Sequence, residues 1–595
     1  MMPPLRIDIA GRSLDEAILE RLHSVVVDED LQLPAAFTLR FYDDAYALTD
    51  GETFAIGAAV TIACGIVDQP GPPLKLLDGE ITGIELELSG QAPVLAVHGY
   101  DLMHRLHRGV RTRAFVEQTD RDVIGKIASD AGLTVRFGGG IGGTTHAHLM
   151  QVGQSDYAFI RQLARRNGYS IFWDDGVIRC EPPRIEPRRS VVKQWPDDLI
   201  TFRTRLSAAG QVDAVEVRAW DMRAKRAVVG RAATMTRWHT TGAKRVAGEL
   251  ARSAFRRAAQ TLVSERPMAT QREAEAHAQA VLDEINGDSL RAEGACPGDP
   301  RIRAACQLTV RGGARRFNGT YTVTTVRHSY RAGEYRTTFG VNGRRPGDML
   351  GTLAEDGRAA RPLHGVVPAI VTSNDDPEGL GRVKLTFPWL DEALASGWAR
   401  IAAPGAGKAR GLLLLPEVND EVLVAFEHGD INRPYVVGGL WNGSDKHGIA
   451  QPVANGAVNR RVLRTRSGHT LTFDDASGAG HAAIEILTSG GLRLLLSDGD
   501  RTIVLKSARH TITLDDAGSG TLTIESGGDL TFKASGKLGL TSGGNRLELG
   551  PSGVKLESAA NLTLQGNGQV ALSGATTEVK ASAVLTVQGA LVRIN

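Results

Sequence analysis

Four sets of residues in this 595-residue chain have types and spacings that could do chemistry. Gly138, Gly140 and Gly143 spell G-x-G-x-x-G after the strand-like LTVRF. Such glycines let a backbone approach a pyrophosphate, but only where a helix comes next. The next residues, TTHAHLMQVG, alternate like a strand, so a loop is expected here. His104 with His107, and His146 with His148, are close pairs. On a strand, His-x-His points both rings to one side, as a metal site could use. No Cys or carboxylate cluster adjoins them in sequence, so surface or interface histidines are expected. Cys64, Cys180, Cys296 and Cys306 lack the C-x-x-C spacing of zinc or redox motifs and read as buried or free thiols. A Cys296–Cys306 bridge is not expected in a protein made in the cytosol. Asp474-Asp475 and Asp515-Asp516 could pair as acid and base in glycoside cleavage. Adjacent strand residues point to opposite faces, so they are expected to be turn residues. The sequence therefore nominates no catalytic residue, no cofactor site and no metal site.

Two further groups could bind rather than react. Trp389, Trp398 and Trp441 could stack on bases or sugars, but they lie among prolines and acidic residues and read as packing. Arg252, Arg256 and Arg257 form a local basic cluster, read as a solvated or ring-facing surface.

The elements that would hold these residues can be read from periodicity. FTLRFYDD (37–44) and AVTIACGIVD (59–68) are strand-like, and 75–88 is read as strands with a turn at Asp78-Gly79. Helices are expected at 120–131, 156–167 and 271–286. Thr119 with Asp122 and Thr270 with Glu273 have capping spacing, and Gly168 and Gly287 are stop signals. FNGTYTVTTVRHSY (317–330) and 334–343 read as a hairpin turned near Ala332-Gly333. Residues 363–447 hold five or six short strands, GLLLLP among them, with Gly, Pro and Asp turns, which suggests a small closed barrel.

Composition bounds the whole. Lys plus Arg is 69 and Asp plus Glu is 67, a net charge of +2, which argues against a binder driven by overall charge. Glycine is about 12% of the chain, against a usual level of about 7%. It is not spread evenly: residues 461–595 are richer than the rest, with twenty Gly, one Pro and only two aromatics, Phe473 and Phe532. There LTIES, LTFKAS, LGLTS, RLELG, VKLES, LTLQG, VALSG, EVKAS and LTVQG succeed one another, each with its apolar side chains on one face. One such repeat cannot bury its face alone. A flat single-chain meander would leave edges open. A single-chain solenoid or three chains wound together would both close the sheet, and the repeat step does not choose between them.

Residues 363–443 resemble the oligonucleotide/oligosaccharide-type (OB) barrel of phage baseplate spikes and VgrG-like proteins. The resemblance is carried by Pro377, Gly381-Arg382, Pro388-Trp389, Trp398, Pro416, Asp420-Glu421, Gly429-Asp430, Pro434 and Trp441-Asn442 in that order. The PEVNDEV, FEHGD and WNG forms look closer to extracellular contractile particles than to type VI secretion. QVGQSDYAF (151–159) is similar to the helix of the hub domain of that family, and Phe317–Tyr321 with His328 and Tyr335–Thr337 to its closing strands. Leu591, Val592, Arg593, Ile594 and Asn595 look like the strand on which a PAAR-type cone sits.

The resemblance implies a mainly β fold with minor α. Residues 1–350 would be a hub of two β-rich subdomains, 351–362 a linker, 363–447 the OB-fold collar and 448–595 a trimeric β-helix needle. It favours the three-chain prism, and a length on the order of 60 Å for about 13 strands. It implies the central spike of a contractile injection system, without enzyme activity. The implied partners are two further copies, a PAAR-like tip protein, inner-tube or hub-adaptor and baseplate proteins, and a cargo effector. A target membrane would be contacted mechanically, and nucleic acid not at all. The opening residues lack a signal peptide and no apolar stretch reaches membrane-spanning length, so a chain made in the cytoplasm and carried out within a particle is expected. About 20 residues separate Trp441 from Arg461, too few for an inserted lysozyme domain, and no effector extension is expected after Asn595. The alternatives are a β-helical tailspike that cleaves or binds surface polysaccharide, and a type VI spike carrying effectors.

Overall fold

The structure is a computed structural model. It describes residues 4–88, 92–141, 143–182, 187–222, 224–245, 247–264, 267–268, 270–343, 365–476 and 482–594. The expected linker 351–362 lies outside these residues. The fold is mainly β with minor α. The chain divides into two compact units, residues 1–446 and 447–595.

An eleven-stranded sheet frames the first unit. Leu22–Asp30 pairs with Leu33–Tyr42, which pairs with Val94–Asp101 and then Leu74–Glu87. Val27, Phe37, Leu39, Phe41, Ile62, Leu77 and Leu95 face inward and form its core, which removing apolar surface from water stabilises. On its other edge Leu22–Asp30 pairs with Thr325–Arg331, some 300 residues later, and Glu334–Val341, Leu290–Pro297 and Thr201–Leu206 follow, while Ala59–Cys64, Leu5–Ile9 and Arg12–Ser13 continue the sheet beyond Leu74–Glu87. Residues 1–101 and 290–341 are thus sewn into one sheet.

Two local expectations fail here. Asp78-Gly79 is no turn but lies inside the continuous strand Leu74–Glu87. A Cβ on Gly79 would stand 2.2 Å from the Tyr100 carbonyl oxygen, so close approach explains this glycine. The hairpin does turn at Ala332-Gly333, but only from Thr325 onward. Gly319–Thr322 belongs to a separate four-stranded sheet, because Val323 and Thr324 bond elsewhere and break the run.

The three expected helices are present as Asp120–Asp130, Asp156–Arg166 and Gln271–Gly287. The Thr119 hydroxyl accepts from the Asp122 amide at 3.2 Å, and the Asp122 carboxylate accepts from the Thr119 amide at 3.0 Å, a complete capping box. The last helix runs through Gly287, so that glycine does not stop it. Val123, Ile124 and Ile127 of the first helix and Ile160 and Leu163 of the second meet in one core. A helix at Ala247–Phe255 was not legible from the sequence.

The barrel closes as an OB barrel closes. Number Val366–Ser373, Lys384–Phe387, Arg400–Ile401, Glu421–Phe426 and Pro434–Gly439 as its strands one to five. One pairs with two and with four, four with five, and five runs parallel to three. Val383 and Ala399, at the starts of strands two and three, bond reciprocally at 3.0 and 2.7 Å and complete the circle. Strand order one-two-three-five-four-one leaves no open edge. Ala369, Val371, Leu385, Phe387, Val422, Val424 and Val436 fill it. GLLLLP is not a strand. Leu412, Leu413, Leu414 and Leu415 come after a two-residue hairpin strand and are 46, 76, 55 and 40% exposed. They have no ladder partner because the barrel is already closed without them.

In the second unit seven successive strands, from Arg460–Arg464 to Thr521–Ser526, pair antiparallel with their neighbours in sequence. Leu538–Ser542, Asn545–Gly550 and Gly553–Glu557 form a second meander. The expectation that a single-chain meander would be avoided is therefore wrong for 460–526. The short Gly, Asp and Ser turns make the neighbour in sequence the nearest ladder partner. LTFKAS and the repeats from residue 558 to 594 carry no strand among the described residues. Their alternation is intact, but a ladder needs a neighbour, and no other described stretch of the chain pairs with them.

Candidate functional site

The seven-stranded sheet has an unusual division of its faces. Register aligns Phe473, Ile484, Leu496, Ile503, Leu514 and Leu522 in one straight row, and Leu463, Leu471, Ile486, Leu494, Leu505, Ile512 and Ile524 in a second. Residues directly opposite in a ladder share a face, so both rows lie on one side. Eleven of these thirteen side chains are 36 to 65% exposed. The other side carries Thr472, Glu485, Thr513 and Thr523, the less open Val462, Leu487, Leu495 and Val504, and the ion pairs Arg460–Asp474 at 3.0 Å and Arg493–Glu485 at 2.6 Å, while Arg461 ends the first row opposite Phe473. The apolar side is thus the more open one. The second meander continues the pattern, with Leu538–Leu549–Val554 and Leu540–Leu547–Leu556 aligned. Covering a half-exposed Leu or Ile is worth on the order of 1 kcal/mol, and thirteen in two rows make an assembly surface.

In the barrel the family-motif residues are joints and turns. Arg382 is bidentate to Asp376 at 2.6 and 3.0 Å, with side chains only 5 and 3% exposed. The Arg382 hydrogen bond, with the backbone amides of Glu378, Leu380 and Arg382, holds the Asp376 carboxyl well below the usual carboxylate range. Gly381 between them has φ +70°, which favours glycine, and Pro377 sits in the same exposed turn. The Arg382 guanidinium and the Lys384 ammonium lie 5.7 and 5.1 Å from the Trp398 ring. Asp420 accepts from the Glu417 amide at 2.7 Å, and the Pro416 carbonyl accepts from Asn374 at 3.1 Å. Glu421 accepts from Asn442 at 2.8 Å. Trp389 comes after Pro388 and donates to the Pro368 carbonyl at 3.0 Å. Gly429, at φ +76°, precedes Asp430, and Pro434 starts strand five. Packing fits Trp398 but not Trp441, which is 76% exposed.

The barrel is also pinned to the strand Thr145–Gln154. The Asn432 side chain, held by Asp430 at 2.8 Å, accepts from the Met150 amide at 2.7 Å. Met150 fills the barrel core, and His148 Nε2 donates to the Ala395 carbonyl at 2.9 Å. Both residues lie on the strand Thr145–Gln154, so one strand serves two domains. The sequence pointed to His148 as a possible ligand and gave no sign of this role.

Comparison with known proteins agrees with that geometry. A family model described as the type VI secretion system/phage-baseplate injector OB domain matches residues 367–441. A model described as the Alg8 N-terminal domain matches residues 6–332, more than half of the chain. The chain belongs to the Alg8 N-terminal-domain family and is a VgrG-like baseplate spike protein. It is 28% identical over 148 residues to the type VI secretion system spike protein VgrG3 of Vibrio cholerae, covering 23% of this chain and 14% of that one. It is 30% identical over 109 residues to VgrG1a of Pseudomonas aeruginosa, covering 17% of each. The matches thus span about a sixth or less of the curated relatives' length. Among solved structures, the Escherichia coli c3393 protein, a type VI secretion component, covers 73% of this chain with 99% of its own at 18% identity and TM-score 0.46. A chain of the Francisella PdpA-VgrG complex is covered over 88% of its length, and 88% of this chain, at 8% identity and TM-score 0.47.

The reactive-looking residues of this VgrG-like protein are tied into structure. The glycine loop leads into the strand Thr145–Gln154, not a helix, as the sequence indicated. His146 Nε2 lies 3.1 Å from Asp120, which Arg166 and Asn167 also bind. Burial opposes the Asp120 charge, but the His146 hydrogen bond and the Arg166 guanidinium prevail and hold the carboxyl at about 2. His104 bonds Glu80 at 3.0 Å, and His107 stacks on Tyr157 at 4.1 Å. His146 and His148 therefore serve different neighbours, and no group of three metal-ligating side chains occurs among the described residues. All four cysteines are buried free thiols, pushed up to about 12 or above by burial. Asp474 and Asp475 bind Arg460 and Arg461 separately, as befits residues on opposite faces. Asp474 and Asp515 close strands, and Asp475 and Asp516 begin the turns after them. Arg252, Arg256 and Arg257 are exposed. Leu591 and Ile594 are 72 and 87% exposed and Val592 is 45% exposed, while Asn595 lies outside the described residues.

Proposed function

We propose that this chain is the central spike of a contractile injection system, acting as a homotrimer that transmits sheath thrust to a target membrane. The open two-row apolar face carries the reading. Three copies of the 460–526 sheet, set as the sides of a triangular prism with the rows inward, would bury them on a common axis and place the charged sides outward. This differs from the sequence expectation of three chains wound together, because each side of the prism is here a meander of one chain. Six gaps of about 4.8 Å make this part of the prism roughly 30 Å long. Beyond residue 557 the alternating repeats would find their ladder partners in the other copies.

The role needs stiffness and slow unfolding rather than a cleft. The barrel, closed by Val383–Ala399 and pinned to the hub by Asn432 and His148, would carry force between hub and needle. Leu591, Val592, Arg593, Ile594 and Asn595 would seat a PAAR-like tip, for which the exposed Leu591 and Ile594 offer apolar contact. The hub would meet inner-tube and baseplate proteins, and cargo would travel with the assembly. The PEVNDEV, FEHGD and WNG forms favour a particle released outside the cell. Solution mass tests the reading: three chains are expected, and a stable monomer near 63.5 kDa would overturn it.

A further inference from the structure

The small net charge of the chain conceals a strong separation within the first unit. Residues 1–101 hold five Lys and Arg against seventeen Asp and Glu, a net charge of −12. Residues 214–263 hold eleven against three, a net charge of +8. Six exposed charges of each excess share one lobe. The helix Glu16–Leu19 and the segment 43–56 form an acidic lobe. Tyr42 N donates to the Arg21 carbonyl at 2.8 Å, and Leu14, Leu48 and Phe54 share one core with Ile18 and Leu19. Its exposed carboxylates are Asp15, Glu16, Glu20, Asp44, Asp50 and Glu52.

The basic lobe is the three-stranded sheet of Ala214–Asp221, Arg226–Ala232 and Gln260–Val263, with the helix Ala247–Phe255. That helix starts against the first strand, where a Cβ on Gly248 would stand 2.0 Å from the Val212 carbonyl oxygen. Asp213 and Ala259 bond reciprocally and tie the helix's exit to the same strand. Lys225, Arg226, Lys244, Arg252, Arg256 and Arg257 are exposed there. Among the described residues none of these six cations, and none of the six carboxylates, forms an ion pair, and no ion pair joins residues 1–101 to 214–263. Each lobe also exposes large apolar side chains: Tyr42, Tyr46 and Ile56 at 44, 40 and 68%, and Trp220, Phe255 and Leu262 at 51, 65 and 61%.

We propose that the basic lobe of one copy docks on the acidic lobe of the next, so that three head-to-tail contacts close the hubs into a ring. This rests on the trimeric spike reading and names the surface that would hold the hub end. A contact between two different patches forms a closed ring when its rotation closes. The two lobes carry opposite signs, each beside apolar groups, which a site for a free polyanion would not require. Opposed charges of this kind set orientation and exclude wrong pairings, and they weaken with salt.

The test uses the full chain and carbodiimide, which joins a lysine to a touching carboxylate. Links from Lys225 or Lys244 to acidic-lobe peptides are expected in the two- and three-chain gel bands and absent from the one-chain band. Glu16→Lys with Asp44→Lys and Glu52→Lys should cut these links about tenfold, as should Arg226→Glu with Arg252→Glu and Arg256→Glu. All six together should restore association of the lobes. A three-chain mass without these links, or links found equally in the one-chain band, overturns the proposal and leaves the spike reading standing. A one-chain mass overturns both. Heparin binding that is lost on reversing the basic lobe, with no links between chains, overturns it in favour of a polyanion site.

Discussion

Phe473 lies directly across the ladder from Ile484, and each is 42% exposed. Between them and the turn, Asp474 and Arg460 hold an ion pair on the opposite and less open side of the same sheet. An isolated sheet with this arrangement has its amphipathic character reversed, and it is resolved only when something covers the apolar rows.

Ile484→Asp should therefore reduce the assembly from three chains to one, or to an aggregated state, when measured by light scattering. Three carboxylates would meet on a dry axis, each costing several kcal/mol unless protonated. Thr513→Glu, in the same sheet but on its charged side, should leave the three-chain mass unchanged. Loss of the trimer in both variants would mean that the rows are not what holds the copies together.

Asp376→Asn should cost the barrel roughly 3 kcal/mol, because it leaves the buried Arg382 guanidinium with only the half-exposed Glu378, 3.1 Å away, as counter-charge. The sign with pH is set by the depressed carboxyl. Its contribution is full above the unfolded value near 4 and is lost as pH falls toward the folded one. Acid unfolding of the variant should thus lack the part of the transition below about pH 4 that the parent shows. Urea midpoints measured between pH 7 and pH 2 would check this, and parallel curves would count against the pair.

Much of this was legible in the sequence and some was not, for physical reasons. The helices starting at Asp120, Asp156 and Gln271 announce themselves by local capping hydroxyls. The barrel's turns are local too, as Asp376 and Arg382 are six positions apart. The pairing of Val27 with His328 is separated by some 300 residues, and nothing in either segment encodes the other. Gly79 looks like a turn residue because a close approach to Tyr100 and a turn both require glycine. The charged lobes escaped notice because their excesses nearly cancel in the total.

His328 sets a second pH dependence, in the eleven-stranded sheet. Its Nε2 donates to the Ile302 carbonyl at 3.0 Å, which leaves Nδ1 to accept from the Tyr335 hydroxyl at 2.8 Å. Burial pushes the imidazole down to about 4. A lowered histidine is protonated first in the unfolded chain. Stability should therefore fall between about pH 6.5 and pH 4, at up to about 1.4 kcal/mol per pH unit. Protection factors of the Thr325–Arg331 amides, taken against the intrinsic exchange rate at each pH, should fall over that range, and His328→Gln should flatten the dependence. An unchanged slope in the variant would assign the effect to another group, such as His239, also pushed down to about 4 by burial.

Two glycines separate a tight backbone approach from an open loop. A Cβ on Gly79 would meet the Tyr100 carbonyl at 2.2 Å, whereas one on Gly140 meets nothing within 4 Å at an ordinary φ. Gly79→Ala must therefore push apart the ladder between Leu74–Glu87 and Val94–Asp101, at a cost of about 3 kcal/mol. Gly140→Ala should change stability by less than about 0.5 kcal/mol. A nucleotide-binding loop would behave otherwise, because the added methyl would displace the phosphate. Thermal unfolding of both variants, with and without added dinucleotide, decides the matter. A ligand-dependent shift in the parent that Gly140→Ala abolishes would overturn the structural reading of the G-x-G-x-x-G.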